Sequence, residues 1–247
     1  TDYFTTGYTG PPVQTFTHIV RVGESLGNFY GFKVVDIGND PEDEANYGQW
    51  IYESPDGERV NYDDFTHSFG DKQVIGNGLP KYYASWINNF RYKNWDLSIT
   101  QRGAFKFQVV NTQRMMYENP TYTQYNLLDN AFDPLFGKTQ LKSPHEFNSY
   151  YVEDGDYWKI DNITLGYNFP NANIKFIQSA RVYVSSLNTL IITGYKGIDP
   201  EVSLVTEGGG SQGGININSG AGLAPGIDNR DKYPTMRTFT VGLNVTF

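Results

Sequence analysis

The sequence predicts an all-β chain: a segment of about five or six antiparallel strands from a larger transmembrane β-barrel with long extracellular loops. Three observations carry the prediction. Several stretches alternate apolar and polar residues with period two, most cleanly Phe239-Thr240-Val241-Gly242-Leu243-Asn244-Val245-Thr246-Phe247. Aromatic residues make up 16% of the chain, although mean hydropathy is only −0.50. That combination suits strands exposing rings on one face while polar loops dilute the average. Short and very long connections also alternate along the chain.

The strands follow in order. Residues 26–34 (LGNFYGFKV) are a candidate first strand. Residues 82–92 place Tyr82, Ala84, Trp86, Phe90 and Tyr92 on one face, and 95–107 do the same with Trp95, Leu97, Ile99, Phe105 and Phe107. Lys93-Asn94 between them is a two-residue connection of the kind tight hairpins use, so residues 92 and 95 face each other and the two apolar sets coincide. A further strand at 156–169 sets Ile163, Leu165, Tyr167 and Phe169 against Asn162, Thr164, Gly166 and Asn168. The stretch 180–193 alternates less cleanly through Tyr183, Leu187 and Ile191, and 234–247 carries the apolar face to Phe247.

Connection lengths orient this array. Lys93-Asn94 and 170–179 are short, whereas 108–155 and 194–233 are long, as with periplasmic turns against extracellular loops. Tyr92, Trp95, Phe169 and Phe247 then fall at the short-turn end, as one arc of a periplasmic aromatic girdle. Residues 36–64 are acidic and turn-rich, and 207–226 are nearly all Gly, Ser, Asn and Ala; both read as loops. An open sheet in hydrocarbon leaves unpaired N–H and C=O groups along two edges, each costing several kcal/mol, and the smallest barrels need about eight strands. Five or so strands therefore require further strands. With Thr1-Asp2-Tyr3 at its start, the chain reads as a piece of something larger.

Composition excludes several classes. No run approaches the length of a transmembrane helix. There is no Cys, hence no disulfide, thiolate zinc site or cysteine nucleophile. A formal charge of −8 argues against nucleic acid. No nucleophile elbow, firmly placed carboxylate pair or metal-ligand spacing points to an enzyme, and no cofactor is implied. Asp154-Gly155-Asp156 and Asp63-Asp64 lack the spacing of a calcium loop and read as solvated carboxylates. His18, His67 and His145 are isolated and read as loop or rim histidines. The glycines from 208 to 222 lack the GKS/T of a phosphate cradle. Asp199-Pro200 reads as a strand stop. Tyr117, Tyr122, Tyr125, Phe132, Phe136, Tyr150 and Tyr151 lie in 108–155, away from lipid. Two readings stand for these rings: packing of a folded loop or lid interface, and a sugar platform. Tyr117, Tyr122, Tyr125, Tyr150 and Tyr151 are the substrate-binding candidates.

Three stretches resemble the C-terminal part of SusC/RagA-family TonB-dependent transporters. They are GESLGNFYGFKVVDIG (23–38); IGNGLPKY (75–82) leading into FRYKNWDLSI (90–99); and VEDGDYWKIDNITLGYNFP (152–170) with RVYVSSLNTLIITGYKGIDPEV (181–202) and YPTMRTFTVGLNVTF (233–247). The resemblance implies that residues 1–247 are the C-terminal portion of a 22-stranded, plugged barrel in the outer membrane of a Gram-negative, Bacteroidetes-type bacterium. The plug and the TonB-contacting region would lie outside this chain. Implied partners are the remaining strands and plug, a SusD-like surface lipoprotein as lid, TonB, membrane lipid, and an oligosaccharide or peptide cargo. Two alternatives compete: a passive porin or adhesin barrel, and a soluble β-sandwich carbohydrate-binding module with Trp95, Leu97, Phe239 and Phe247 buried between sheets.

Overall fold

A computed structural model describes residues 2–121, 124–169, 177–202, 223–228 and 234–246. Its strands are β1 (Tyr3–Tyr8), β2 (Phe16–Arg21), β3 (Asn28–Gly31), β4 (Lys33–Ile37), β5 (Trp50–Glu53), β6 (Arg59–Val60), β7 (Gln73–Asn77) and β8 (Tyr82–Tyr92). They continue as β9 (Trp95–Phe105), β10 (Gln108–Asn111), β11 (Val152–Asp154), β12 (Tyr157–Phe169), β13 (Ser179–Thr193), β14 (Ile227–Asp228) and β15 (Thr238–Thr246). Helix α1 (Thr112–Tyr117) is short. The chain divides into two compact units.

The first unit comprises Pro80–Lys106, Gly155–Ile198 and Tyr233–Phe247. It is one antiparallel sheet in the order β15-β13-β12-β9-β8. Tyr92 pairs with Trp95 across the two-residue turn, and Lys93 adopts φ +52° there. The Asn168 N–H donates to the Asn94 carbonyl at 2.8 Å, tying the turn to the neighbouring strand. Register assigns the faces, because residues directly opposite share a side. Phe90, Leu97, Leu165, Val184 and Val241 form one cross-sheet row; Tyr92, Trp95, Tyr167, Val182 and Leu243 form the next. Between Ile160 and Asn162 the register slips against both neighbours: Asp161 is an extra residue against β9, whereas Asn188 and Thr189 of β13 oppose it as two against one, and β12 changes parity there.

Two sequence expectations change. In β13 the apolar-face residues are Val182, Val184, Leu190 and Ile192, whereas Tyr183, Leu187 and Ile191 lie on the polar face. Both parities of this strand are apolar, so only pairing to β12 and β15 decides which side is greasy. Residues 26–34 do not join this sheet; they form β3 and begin β4 in the other unit, where Phe29 is fully buried.

The second unit comprises Thr1–Leu79, Phe107–Asp154 and Asp199–Lys232. It contains three small sheets, β1-β2-β3-β7, β4-β5-β6 and β11-β10-β14, the last with a parallel β10–β14 pair. Its core gathers Phe29, Phe32, Ile37, Trp50, Tyr52, Phe65, Val110, Met115, Leu141, Phe147 and Tyr151. The reading of 36–64 as a turn-rich loop is thus corrected, and the long connection 108–155 packs residues into the same core. Turn residues Asp40–Asp43 and Ser54–Gly57 only link short strands, each contributing one or two rings to the core. Tyr52 and Phe65 stack at 4.0 Å, and Phe32 meets Phe65 edge-on at 5.3 Å, geometries that suit the ring quadrupoles.

Several buried polar groups here are partnered, although the buried Trp50 Nε1 has no hydrogen-bond acceptor. Arg114 donates to Glu118 at 2.7 Å and to Glu153 at 2.5 Å, and these carboxylates hold its pKa up against burial. Glu146 accepts from Tyr52 at 2.7 Å and Asn148 at 3.0 Å, yet burial still raises its pKa. His18 is fully buried in β2, not at a rim; its ring nitrogens meet the Thr17 hydroxyl at 2.7 Å and the Pro225 carbonyl at 2.9 Å. Burial lowers its pKa from 6.5 to about 4.

A base whose folded pKa is depressed leaves the unfolded chain binding more protons between the two values. Stability carried by His18 is therefore complete above pH 6.5 and is lost as pH falls toward about 4. The expected loss is on the order of 3 kcal/mol. Proteolysis of this unit in the intact protein, followed from pH 7 to 4, should show that sensitivity; a flat profile would contradict it.

Candidate functional site

The two faces of the five-stranded sheet differ in chemistry. Leu97, Ile99, Ile163, Leu165, Val182, Val184, Val241, Leu243 and Val245 share one face, which carries no charged side chain among the described paired positions. Much of this face is open: Val241 is 75% exposed, Leu243 63%, and Phe239 on the same side 70%, while Leu97, Ile99, Ile163 and Val245 are half-buried. Exposed apolar area of this extent is untenable in water but ordinary against hydrocarbon.

Rings bound this apolar band at both ends. At the short-turn end, Trp95 meets Tyr167 at 4.8 Å, Tyr167 meets Phe169 at 4.9 Å, and Tyr92 lies beside Trp95. Phe247 lies outside the described residues. The opposite end carries a second set that the sequence reading did not single out: Tyr82 and Trp86 on β8, with Phe105 and Trp158 stacked at 6.3 Å. Alternation alone marks Tyr82, Trp86 and Phe105 as outward, whereas Trp158 reaches that face only through the parity change at Asp161. The 11 residues of β8, at about 3.3 Å each and tilted about 40°, span about 28 Å, close to the apolar band of an outer-membrane barrel.

The other face is polar and ionic. Asp96 accepts from Arg181 at 2.5 and 3.2 Å and from Asn168 at 2.8 Å, and lies opposite Arg91. Asp161 meets Arg102 at 2.5 Å and Lys159 at 3.9 Å. Glycine shapes this surface. A Cβ on Gly242 would come within 2.2 Å of the Tyr183 ring, and one on Gly166 within 2.4 Å of the Arg181 guanidinium. Both side chains thus lie flat on bare backbone, leaving the polar face shallow.

The loop aromatics are dispersed in the second unit. Tyr151 is fully buried in the core; Tyr150 is half-buried, its ring 5.2 Å from Trp50 and 5.0 Å from the Arg114 guanidinium. Tyr117 and Tyr125 pair edge-on at 6.2 Å, with Tyr125 and the nearby Phe132 and Phe136 about half exposed. Tyr122 lies outside the described residues, as do residues 203–222 of the glycine-rich segment. No group of three or more His, Cys, Asp or Glu able to hold a metal occurs among the described residues. Asp156 instead accepts the Lys106 N–H at 2.5 Å, and Asp199 accepts the Glu201 N–H at 2.9 Å. His67 is wedged among Phe32, Tyr52, Tyr62 and Phe65, and His145 meets the Met116 carbonyl at 3.0 Å, burial lowering its pKa.

An antiparallel sheet with a bare apolar face between two aromatic belts and an ionic opposite face is a transmembrane β-barrel wall. A soluble sandwich is excluded, since Trp95 and Phe239 are exposed instead of packed under a second sheet. Comparison with known proteins gives the family. The chain is 30% identical over its whole length to TonB-dependent receptor P3 of Formosa agariphila, covering 24% of that protein. It is 30% identical to TonB-dependent receptor P26 of the same organism, over 92% of the chain and 23% of the relative. To TonB-dependent receptor SusC of Bacteroides thetaiotaomicron it is 27% identical, over 72% of the chain and 16% of the relative. The solved RagAB peptide importer in its closed-closed state shares the fold, with TM-score 0.70 at 20% identity, over 100% of this chain and 25% of that one. No family model matches. The chain is a segment of a SusC/RagA-type TonB-dependent transporter, a protein class of the bacterial outer membrane. It spans about a quarter of the length of the relatives it matches most fully.

Face assignment makes a sharp prediction. In the full-length protein folded in lipid, Val241→Arg is expected to cost about 2–4 kcal/mol, as charges do near mid-bilayer. Thr240→Arg, one residue along and on the ionic face, should cost less than about 1 kcal/mol. Urea unfolding in vesicles measures both, and equal costs would contradict the assignment.

Proposed function

We propose that residues 1–247 form the C-terminal portion of an active outer-membrane importer of oligosaccharides or peptides in a Gram-negative, Bacteroidetes-type bacterium. In this reading the sheet is an arc of the barrel wall, with Tyr92, Trp95, Phe169 and Phe247 in its periplasmic girdle. A SusD-like surface lipoprotein caps the barrel, and TonB drives import through a plug and TonB-contacting region outside these residues. The observation that carries the reading is the five-stranded sheet, whose bare apolar face would need lipid and whose edges would need further strands. The relatives' names add support: three are TonB-dependent receptors, and RagAB is described as a peptide importer.

Cargo contact is assigned to the half-exposed rings of the second unit. Tyr125, with Tyr117 against its edge and Tyr122 nearby in sequence, offers a face for stacking on sugar C–H groups or peptide side chains. Tyr150 and the buried Tyr151 contribute by supporting that region.

The test is uptake by cells carrying the full gene. Deleting tonB should abolish energy-dependent accumulation of the cargo; unchanged uptake would favour a passive porin. For the intact transporter with its lipoprotein, Tyr117→Ala with Tyr125→Ala should weaken cargo binding about tenfold by calorimetry. Unchanged affinity would remove these rings from the cargo site.

A further inference from the structure

Two lysines of the β8–β9 hairpin sit in the left-handed backbone region, Lys93 at φ +52° and Lys106 at φ +59°. Gly or Asn adopts that conformation at less cost, so a long cationic side chain there is conspicuous. The two residues bracket β9, one at each end. Each places its ammonium over a tyrosine of the apolar face: Lys93 Nζ lies 5.4 Å from the Tyr92 ring centroid, and Lys106 Nζ lies 5.7 Å from that of Tyr82. Tyr92 and Tyr82 belong to opposite aromatic belts.

The spacing fixes what these cations meet. The 11 residues of β9, at about 3.3 Å per residue and about 40° of tilt, separate the lysines by about 28 Å across the bilayer. A hydrocarbon core is about 30 Å thick, so both ammoniums reach the two headgroup layers. Each remains exposed, with its ring beneath it on the outward side. Lys81, whose N–H donates to the Phe105 carbonyl at 3.0 Å, adds a second exposed ammonium beside Tyr82. The Asp156 side chain, at 2.5 Å from the Lys106 N–H, locks the backbone of that turn.

We propose that Lys93 with Tyr92, and Lys106 and Lys81 with Tyr82, are two binding sites for lipid headgroup phosphate, one in each leaflet. The ammonium neutralises the phosphate, and the ring beneath it packs on the lipid's glycerol or sugar backbone. The proposal rests on the barrel-wall reading but not on any cargo or on TonB.

The test uses the full-length transporter in nanodiscs of phosphatidylcholine containing one part in four of phosphatidylglycerol. Native mass spectrometry counts phosphatidylglycerol retained after controlled release, and thermal unfolding is followed in parallel. Wild type should retain phosphatidylglycerol, and K93Q/K106Q should lower that retention at least threefold. Tyr82→Phe, which keeps the ring, should retain it; Tyr82→Leu should lose about half. Equal retention by wild type and K93Q/K106Q would overturn the proposal, as would inorganic phosphate displacing the lipid at millimolar concentration. Heat-modifiable migration on gels separates this from failure of the wall reading: a protein that never inserts would sink both, whereas an inserted barrel without phosphatidylglycerol preference sinks only the lipid sites.

Discussion

In hydrocarbon a peptide group has no water to turn to. Every N–H and C=O of a spanning strand must find its partner on a neighbouring strand, at several kcal/mol for each failure. The order β15-β13-β12-β9-β8 meets that condition for its three inner strands along their paired lengths. At Asp161, where the ladder slips, the carboxylate of the extra residue lies against Arg102 and Lys159 on the ionic face. The irregularity is therefore turned toward water. β8 and β15 pair on one side only among the described residues, and the same constraint demands that the wall continue past both.

From this constraint follows a division of charge. The unit containing the sheet holds ten Lys and Arg against three Asp and Glu, a formal +7, while the other unit holds nine against 24, a formal −15. The acidic net charge of the chain thus describes the folded strand-and-loop unit, not the wall. Within the sheet, charges cannot face lipid, so Arg91, Asp96, Arg102, Lys159 and Arg181 gather on one side, where each carboxylate lies between two cations. Flat-lying Arg181 and Tyr183 over Gly166 and Gly242 keep that side from filling inward.

What the sequence revealed follows the same physics. Where one parity was apolar and the other polar, as in 82–92, 162–169 and 239–246, strand and face were legible from alternation alone, whereas the parity change at Asp161 left no such signal for 157–160. In β13, valines and leucines occupy both parities, and alternation pointed to Tyr183, Leu187 and Ile191; only long-range pairing distinguishes Val182 and Val184 as outward. The second unit was missed for another reason. Its strands are two to six residues long, too short for periodicity to register, and acidic turns interrupt them. Trp50, Tyr52 and Phe65 gave no local sign of a core, because Phe147 and Tyr151 of the same cluster lie about 80 to 100 residues away. His18 was hidden likewise, since its second partner is the carbonyl of Pro225.

The 19 tyrosines show why one composition serves two solvents. Tyrosine joins an apolar ring to a single polar atom, and it settles where both can be satisfied. Tyr92 and Tyr82 do so at the edges of a lipid band, ring outward beneath a lysine ammonium. Tyr52 does so in a core, its ring stacked on Phe65 and its hydroxyl donated to buried Glu146. Tyr183 does so on the wet face, flat against Gly242 with Arg181 above it. Phenylalanine at the last two places would leave Glu146 short of a donor or set a bare ring against water. Leucine at the first would give up the cation's seat. The aromatic richness that first suggested a barrel is therefore shared among three environments, and only the belt tyrosines owe their place to lipid.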